Sequence, residues 1–372
     1  MNEDAKTRNS IRTSFEKGAQ LTSKVARGKD EEAAKYRDYF DFSEPLRKCP
    51  SHRLLAIRRG EAEGFLRVSI APDEERTMPW LERIWLNGFG DASKQVKAAL
   101  QDAYKRLLQP SIETEFRNAS KEKADLEAIN VFKENLKQLL LTAPLGEKRV
   151  LGIDPGFRTG CKVVCLNERG DLLHNTTIYP HPPQKRVAET EMMIMDMVAD
   201  YKLDAIAVGD GTAGRETLSL CKGLKFQPPV EVFMVNEAGA SIYSASEIAR
   251  EEFPDKDVTV RGAVSIARRL MDPLAELVKI DAKSIGVGQY QHDVNQTLLK
   301  ESLDRTVESA VNAVGINLNT ASKHLLTYVS GLGPTIAKNI VDFRTENGPF
   351  TCLLYTSPSP RDATLSRMPS SA

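Results

Sequence analysis

The sequence predicts a multidomain protein of class α + α/β: a helical N-terminal region, a mixed-sheet domain, and a second helical domain. Three observations predict it. Up to about residue 145 apolar residues recur at helical spacing, as in Leu126, Ile129, Phe132, Leu136, Leu139 and Leu140. From Val150 to Val164 an apolar run, an Asp-Pro-Gly turn and a second apolar run read as two strands; strands and helices then alternate to about residue 280. From 281 to 350 apolar helices are broken by short glycine turns.

In the N-terminal region, Gly28 to Phe40 reads as a charged helix containing Ala33, Ala34 and Tyr36. Ser51 to Gly60 reads as a helix with a serine cap and a glycine stop. Asp91 to Glu115 and Ser120 to Leu141 are longer amphipathic helices, the first interrupted at Pro110. Thr142 to Lys148, with Pro144 and Gly146, is a linker. Strands are expected at Val150–Asp154, Lys162–Leu166, Leu172–Ile178, Ala205–Val208 and Val230–Val235. Helices are expected at Val187–Tyr201, Thr212–Lys222, Ser241–Glu252 and Arg261–Lys279. The opening hairpin ladder, with one carboxylate where its first strand ends, resembles an RNase H-like fold. Two similar units follow, Val311 to Ala321 and Tyr328 to Ala337, each with a glycine turn and a Thr/Ala helix start. The divisions expected are 1–145, 146–280 and 281–350. Residues 351–372, rich in Ser, Pro and Arg, read as translated vector or adapter sequence and are set aside.

The totals limit the function classes. The chain has 372 residues, enough for two or three domains. Hydrophobic residues make up 41% and charged residues 27%, which suits packed cores under an ordinary polar surface. Lysine plus arginine equals aspartate plus glutamate, 51 against 51, so any contact with a polyanion must come from local geometry. No apolar run approaches the roughly 20 residues that span a bilayer, and Met1 to Lys17 is too polar for a secretory signal. The expected location is the cytoplasm, with no membrane partner. Cys161 and Cys165 lie four apart on one strand and face the same way, but no second Cys or His pair accompanies them, so they read as small buried hydrophobes. The five histidines are dispersed and make no ligand set. Met192, Met193, Met195 and Met197 are expected to fill core gaps.

With these regions laid out, the chain resembles the Tex family of bacterial transcription accessory proteins over nearly all of residues 1–350. The stretches that carry the resemblance are Lys35 to Phe40 followed by Pro50 to Glu61, Gly152-Ile153-Asp154-Pro155-Gly156, Val235 to Ser241, Gln289 to Val294, and Gly331-Leu332-Gly333 with Ala337, Ile340 and Arg344. The resemblance implies a YqgF-type RNase H-like domain, a helix-hairpin-helix domain and RNA binding in transcription. Tex proteins continue into an OB-fold RNA-binding domain, so it also implies a native chain extending past Phe350.

A nuclease of RNase H type needs several carboxylates converging on divalent metal, which clamps the attacking and leaving oxygens. Asp154 fits the first position, Asp210 at the end of the fourth strand the second, and Glu237 after the fifth another. The closing helix should open with an acid, yet it begins Val260-Arg261-Gly262-Ala263-Val264, and an arginine there would repel a metal. The nearest acid, Asp257, precedes the helix. Asp154, Asp210 and Glu237 are thus read as vestigial, with no catalytic residue, metal or cofactor. Gly209-Asp210-Gly211-Thr212-Ala213-Gly214 also satisfies Gly-x-Gly-x-x-Gly, with Glu231 and Glu237 near the spacing of a ribose-binding acid. Against a dinucleotide, that motif follows the fourth strand of its domain, not the first. An actin-like ATPase would need a second lobe, which residues 281–350 do not supply.

Helix-hairpin-helix units hold nucleic-acid backbone through N–H groups at the start of the second helix. Gly331 and Gly333 allow the tight turn, Leu332 packs it down, Thr335 caps or meets phosphate, and Lys338 adds charge; Gly315 and Asn317 belong to the paired unit. Residues 300–350 hold five basic and five acidic side chains, so binding there is expected to be weak and salt-sensitive. A denser basic set (Lys24, Arg27, Lys29, Arg53, Arg58, Arg59) is interleaved with acids and serves a solvated face or a binding surface equally well. The reading is a non-enzymatic transcription accessory protein that scaffolds contact with nucleic acid, single-stranded RNA before DNA, alongside the transcription machinery. The alternative is a metal-dependent nuclease or resolvase using Asp154, Asp210 and Glu237.

Overall fold

A computed structural model of the chain describes residues 2–86, 88, 90–316, 318, 321–348 and 350. These residues form two compact units. One contains residues up to Val131 together with Gln289–Thr297; the other contains Phe132–Gly288 and the chain from Leu298 onward.

The first unit is mainly helical. Its elements are α1 (Ala5–Gly18), β1 (Gln20–Val25), β2 (Asp41–Pro45), α2 (Ser51–Ala62), β3 (Leu66–Ala71), α3 (Glu74–Trp85), α4 (Asp91–Ala103) and the first part of α5 (Gln109–Leu140). The three strands form an antiparallel sheet of order β2-β1-β3 that the helical reading did not anticipate. Its strands are short, and β1 and β2 are mostly polar, so their pairing across distant sequence left no apolar run to see. Gly28 to Phe40 is also not one helix: Gly28 sits at φ +72° and only Ala34–Tyr39 forms a 3₁₀ turn. In α2 the cap is Pro50, not Ser51, and Gly60 is no stop. It lies inside the helix, where a Cβ would come within 2.7 Å of Leu66 and 3.2 Å of Tyr36. Pro110 does not break its helix either. A π-helical turn at Tyr104–Leu108 joins α4 to α5 and gives the proline ring the room an α-turn would deny it.

The segment 289–297 explains one family-typical stretch. Arg59 Nε donates to Asp293 Oδ1 at 2.7 Å, and its guanidinium lies 5.4 Å from the Tyr290 ring centroid. Lys121 Nζ donates to the Asp293 carbonyl at 2.8 Å, and Asn295 N–H to Asp125 at 3.2 Å.

The second unit holds the five strands at the places the sequence predicts: β4 (Val150–Asp154), β5 (Cys161–Leu166), β6 (Leu172–Ile178), β7 (Ala205–Gly209) and β8 (Glu231–Val235). Their order is β6-β5-β4-β7-β8. The first three pair antiparallel; β4, β7 and β8 run parallel, which makes the sheet mixed. Helices α6 (Val187–Asp200), α7 (Gly214–Gly223), α8 (Ala240–Ala245), α9 (Glu247–Glu252), α10 (Val258–Met271) and α11 (Pro273–Leu277) accompany it. Side-chain alternation along the strands gives the sheet two buried faces. One face collects Leu151, Ile153, Val163 and Ile206 with Ile194 and Met197 of α6. Cys161 and Cys165 share it, fully buried, as their spacing predicts, and burial pushes the Cys165 thiol up to about 12. The other face packs Val150, Val164 and Ala207 against Ala263, Ile266 and Ala267 of α10. The methionines divide: Met197 is buried, whereas Met192 and Met195 are exposed and fill no core. Beyond the sheet lie α12 (Gln296–Val314, its first two residues in the other unit), α13 (Lys323–Thr327) and α14 (Pro334–Asn347). Among the described residues no helix is long and apolar enough to cross a membrane.

Candidate functional site

Two candidate sites stand out, and both lie in the second unit. The first is the acid cluster at the C-terminal ends of β4, β7 and β8. Asp154 ends β4, paired in register with Lys162 across the hairpin. Burial pushes its carboxyl up to about 6, nearby Glu237 adds to the rise, and Lys162 opposes it. Asp210 follows β7 and is occupied by the β8 turn: Oδ1 accepts the Glu237 N–H at 3.0 Å and Oδ2 the Asn236 amide at 3.1 Å. Glu237 is also raised, by burial first and by Asp210 second, while the Gly211 N–H and Arg269 oppose.

Glu237 reaches back over the glycine loop. A Cβ at Gly209 would lie 2.7 Å from Glu237 Oε2, and any side chain at Gly211 would collide with the carboxylate. The hollow that a nucleotide phosphate would take under the Gly-x-Gly-x-x-Gly reading therefore holds this chain's own carboxylate. Arg269, buried on α10, fixes the turn that presents Glu237 by donating to the Asn236 carbonyl at 3.0 Å and the Ala238 carbonyl at 2.6 Å. The sequence reading missed Arg269; its signal was an adjacent pair of cations, Arg268 and Arg269, in the mostly apolar run Ala263 to Met271.

The closing helix presents no acid. A Cβ at Gly262 would stand 3.3 Å from Asp154 Oδ2, so glycine occupies the place that faces the first carboxylate. Arg261 does not face it: its Nε donates to the Phe253 carbonyl at 3.1 Å. Asp257 caps α10, accepting the Thr259 N–H at 2.6 Å. The structure thus brings Glu237 near both Asp154 and Asp210, and Asp210 already holds the Glu237 amide and the Asn236 side chain. Among the described residues no three His, Cys, Asp or Glu side chains are grouped to hold a metal. The donor set does not fit the divalent metal of an RNase H-type nuclease.

The second site is the hairpin of α13 and α14. Ser322 caps α13, its Oγ accepting the Leu325 N–H at 3.2 Å. The chain turns through Tyr328–Gly333, with Gly331 at φ +87°, a conformation that favours glycine. Leu332 is buried beneath the turn, and its N–H donates to the Val329 carbonyl at 2.9 Å. Asn312 of α12 braces it: Oδ1 accepts the Ser330 N–H and Nδ2 donates to the Tyr328 carbonyl, each at 3.2 Å. The next helix starts at Pro334, which has no N–H, and no side chain caps it. The amides of its first turn, at Thr335 and Ile336, are therefore open donors with the helix dipole behind them. Thr335 and Lys338 are exposed beside them, while Ala337 and Ile340 are buried. The turn borders a groove of about 400 Å³ shared with Glu308, whose charge would oppose a phosphate there. Gly315, at φ +75°, terminates α12 on a different turn, before α13. Asn317 lies outside the described residues.

A mixed sheet of order β6-β5-β4-β7-β8 backed by α10, followed by a glycine-turned helical hairpin, defines a YqgF-like domain joined to a helix-hairpin-helix. Family profiles agree: "Tex protein YqgF-like domain" matches residues 148–271, "Tex central region-like" residues 1–132 and "Helix-hairpin-helix motif" residues 311–353. The chain belongs to the Tex family. It is 48% identical over 347 residues to Protein tex of Bordetella pertussis, covering 89% of this chain and 44% of that one. It is 46% identical over 357 residues to the transcriptional accessory protein Tex of Neisseria gonorrhoeae, covering 94% and 47%. It is 40% identical over 345 residues to the human S1 RNA-binding domain-containing protein 1, covering 89% and 34%. The chain thus spans less than half the length of these relatives.

Proposed function

We propose that this chain binds the phosphate backbone of nucleic acid through the α13–α14 hairpin, with the YqgF-like domain as a non-catalytic scaffold. The observation that carries the reading is the uncapped N-terminus of α14, which follows a glycine turn and lies beside exposed Thr335 and Lys338. Gly331, Leu332 and Gly333 form the turn, and Gly315 and Asn317 belong to the paired unit. Asp154, Asp210 and Glu237 have structural roles in this reading, supported by glycine at position 262 and by the backbone amide and side-chain amide that Asp210 accepts. Single-stranded RNA is the preferred ligand and DNA a weaker one. The names of the relatives, transcriptional accessory protein and S1 RNA-binding domain-containing protein, support a setting in transcription, for which the cytoplasm is the location we propose. The functional divisions proposed are 1–145, 146–280 and 281–350.

The test is an anisotropy titration of the chain with labelled single-stranded RNA, single-stranded DNA and duplex, with magnesium or manganese present, and the strands then run on a denaturing gel. Salt-sensitive binding with intact strands is expected. Thr335→Glu with Lys338→Glu should weaken it and flatten the dependence of log affinity on log salt by roughly 0.7, as expected when one phosphate fewer is neutralised. Unchanged binding in that variant would remove the hairpin from the reading. Cleaved strands that Asp154→Ala protects would replace the scaffold with a working nuclease.

A further inference from the structure

The first unit carries a groove that the proposed function does not use. It lies between α1 and α3 and encloses about 470 Å³. One wall is a face of α1 with Asn9, Ser10, Thr13, Ser14 and Lys17; the other is Arg76 and Trp80 on α3. Trp80 is 43% exposed, and its indole N–H has no partner among the described residues. The other tryptophan, Trp85, donates its N–H to Thr7 Oγ1 at 2.9 Å, so exposure is particular to Trp80. The cations here are also those left over from the pairing around them. Arg8 and Arg12 hold Glu115, Lys97 holds Glu82, Lys105 holds Glu74 and Arg106 holds Asp102. Lys17 and Arg83, the latter one turn beyond Trp80, form no ion pair among the described residues. Arg76 has only Asp73, at 3.6 Å, and is 89% exposed.

We propose that this groove is a binding site for a single strand of nucleic acid. A base stacks on Trp80, Lys17, Arg76 and Arg83 meet the flanking phosphates, and the hydroxyls of α1 hydrogen-bond sugar or phosphate oxygens. Exposed cations alone would suit an acidic peptide equally. An open indole between them favours a ligand that alternates flat rings with anions, which is the chemistry of a single strand. The site shares with the hairpin reading only the class of ligand and stands on different residues.

The test uses Trp85→Phe in the full chain, which leaves Trp80 as the one emitter of the two tryptophans. Oligo(U), oligo(dT) and poly-glutamate are titrated against its fluorescence, with strand anisotropy read in parallel. Saturable quenching by the strands and none by poly-glutamate is expected. Trp80→Ala should weaken strand binding by roughly 5- to 100-fold. Lys17→Glu with Arg76→Glu should flatten the salt dependence by about 0.7 for each cation. The hairpin double variant should leave the quenching in place, which separates this site from that one. Strands that bind without moving Trp80 emission, or that fail to bind at all, overturn the proposal. Quenching by poly-glutamate overturns it in favour of an acidic peptide. If Trp85→Phe disturbs folding, ultraviolet cross-linking of a strand to the unaltered chain decides: adducts on the α3 peptide uphold the site, and adducts elsewhere alone refute it.

Discussion

Asp154 holds its carboxyl near 6 because burial disfavours its charge and Glu237 adds repulsion, with only Lys162 in opposition. In the unfolded chain the same group titrates near 4. Between those values the folded protein keeps a proton that the unfolded chain has released. Stability from this group is therefore full below about pH 4 and declines as pH rises toward 6. Asp154→Asn has no charge to bury and should stabilise the protein at neutral pH by on the order of 2 kcal/mol, and not at all near pH 4. Urea midpoints of the two proteins at both pH values check this, and parallel midpoints would mean that the charge is not strained. The sequence showed that three acids end three strands. It did not show that Asp210 accepts the Glu237 amide, because that depends on how the β8 turn folds onto the loop after β7.

At the scale of elements, the clearest case is α10, which backs the sheet closely enough to leave no space at Gly152. A Cβ there would lie 2.6 Å from Ala267 Cβ and 2.8 Å from the Ala263 carbonyl. Gly152→Ala should destabilise the protein by about 1–3 kcal/mol, read as a lower thermal midpoint. The other side of α10 carries charge: Arg268 reaches Glu252, and Lys279 Nζ lies 3.0 Å from Glu252 and 2.9 Å from Glu276. Burial would raise the Glu252 carboxyl, but Lys279 and Arg268 overcome it and hold it at about 2. Glu252→Ala would leave two largely buried cations without that partner, for a loss of about 3 kcal/mol, measurable by urea unfolding. The strands β4, β5, β7 and β8 were legible because each is an apolar run closed by Gly, Pro or Asn, and β6 because Leu172 to Ile178 follows the turn at Asn167 to Gly170. The strands β1 to β3 were not, because Gln20–Val25 and Asp41–Pro45 are largely polar and have meaning only beside one another. Gly60 shows the same limit: its spacing said helix end, and its packing against Leu66 and Tyr36 says close approach.

Across the whole molecule, equal numbers of positive and negative side chains concealed two local features, the open donors of α14 and the exposed cations about Trp80. The resemblance read from short motifs was correct at the level of family. The structure adds why one of those motifs is there: Gln289 to Val294 supplies Tyr290 and Asp293 to Arg59 in the first unit. Asp293→Ala should lower the stability of that unit by about 1–2 kcal/mol, seen as faster amide exchange in α2, with the β4–β8 sheet unchanged. Equal exchange in both would show that the contact carries no stability.

That returning segment also sets an order on synthesis. A ribosome releasing this chain from its N-terminus emits the first unit up to Val131 and then the whole α/β sheet before Gln289 emerges. At ordinary elongation rates the wait for those roughly 160 residues is on the order of 10–30 s. Through that interval Arg59 is made but its carboxylate is not. The first unit, begun before the sheet, is thus completed after it, and a nascent chain halted before residue 289 would carry a finished sheet and an unfinished first unit.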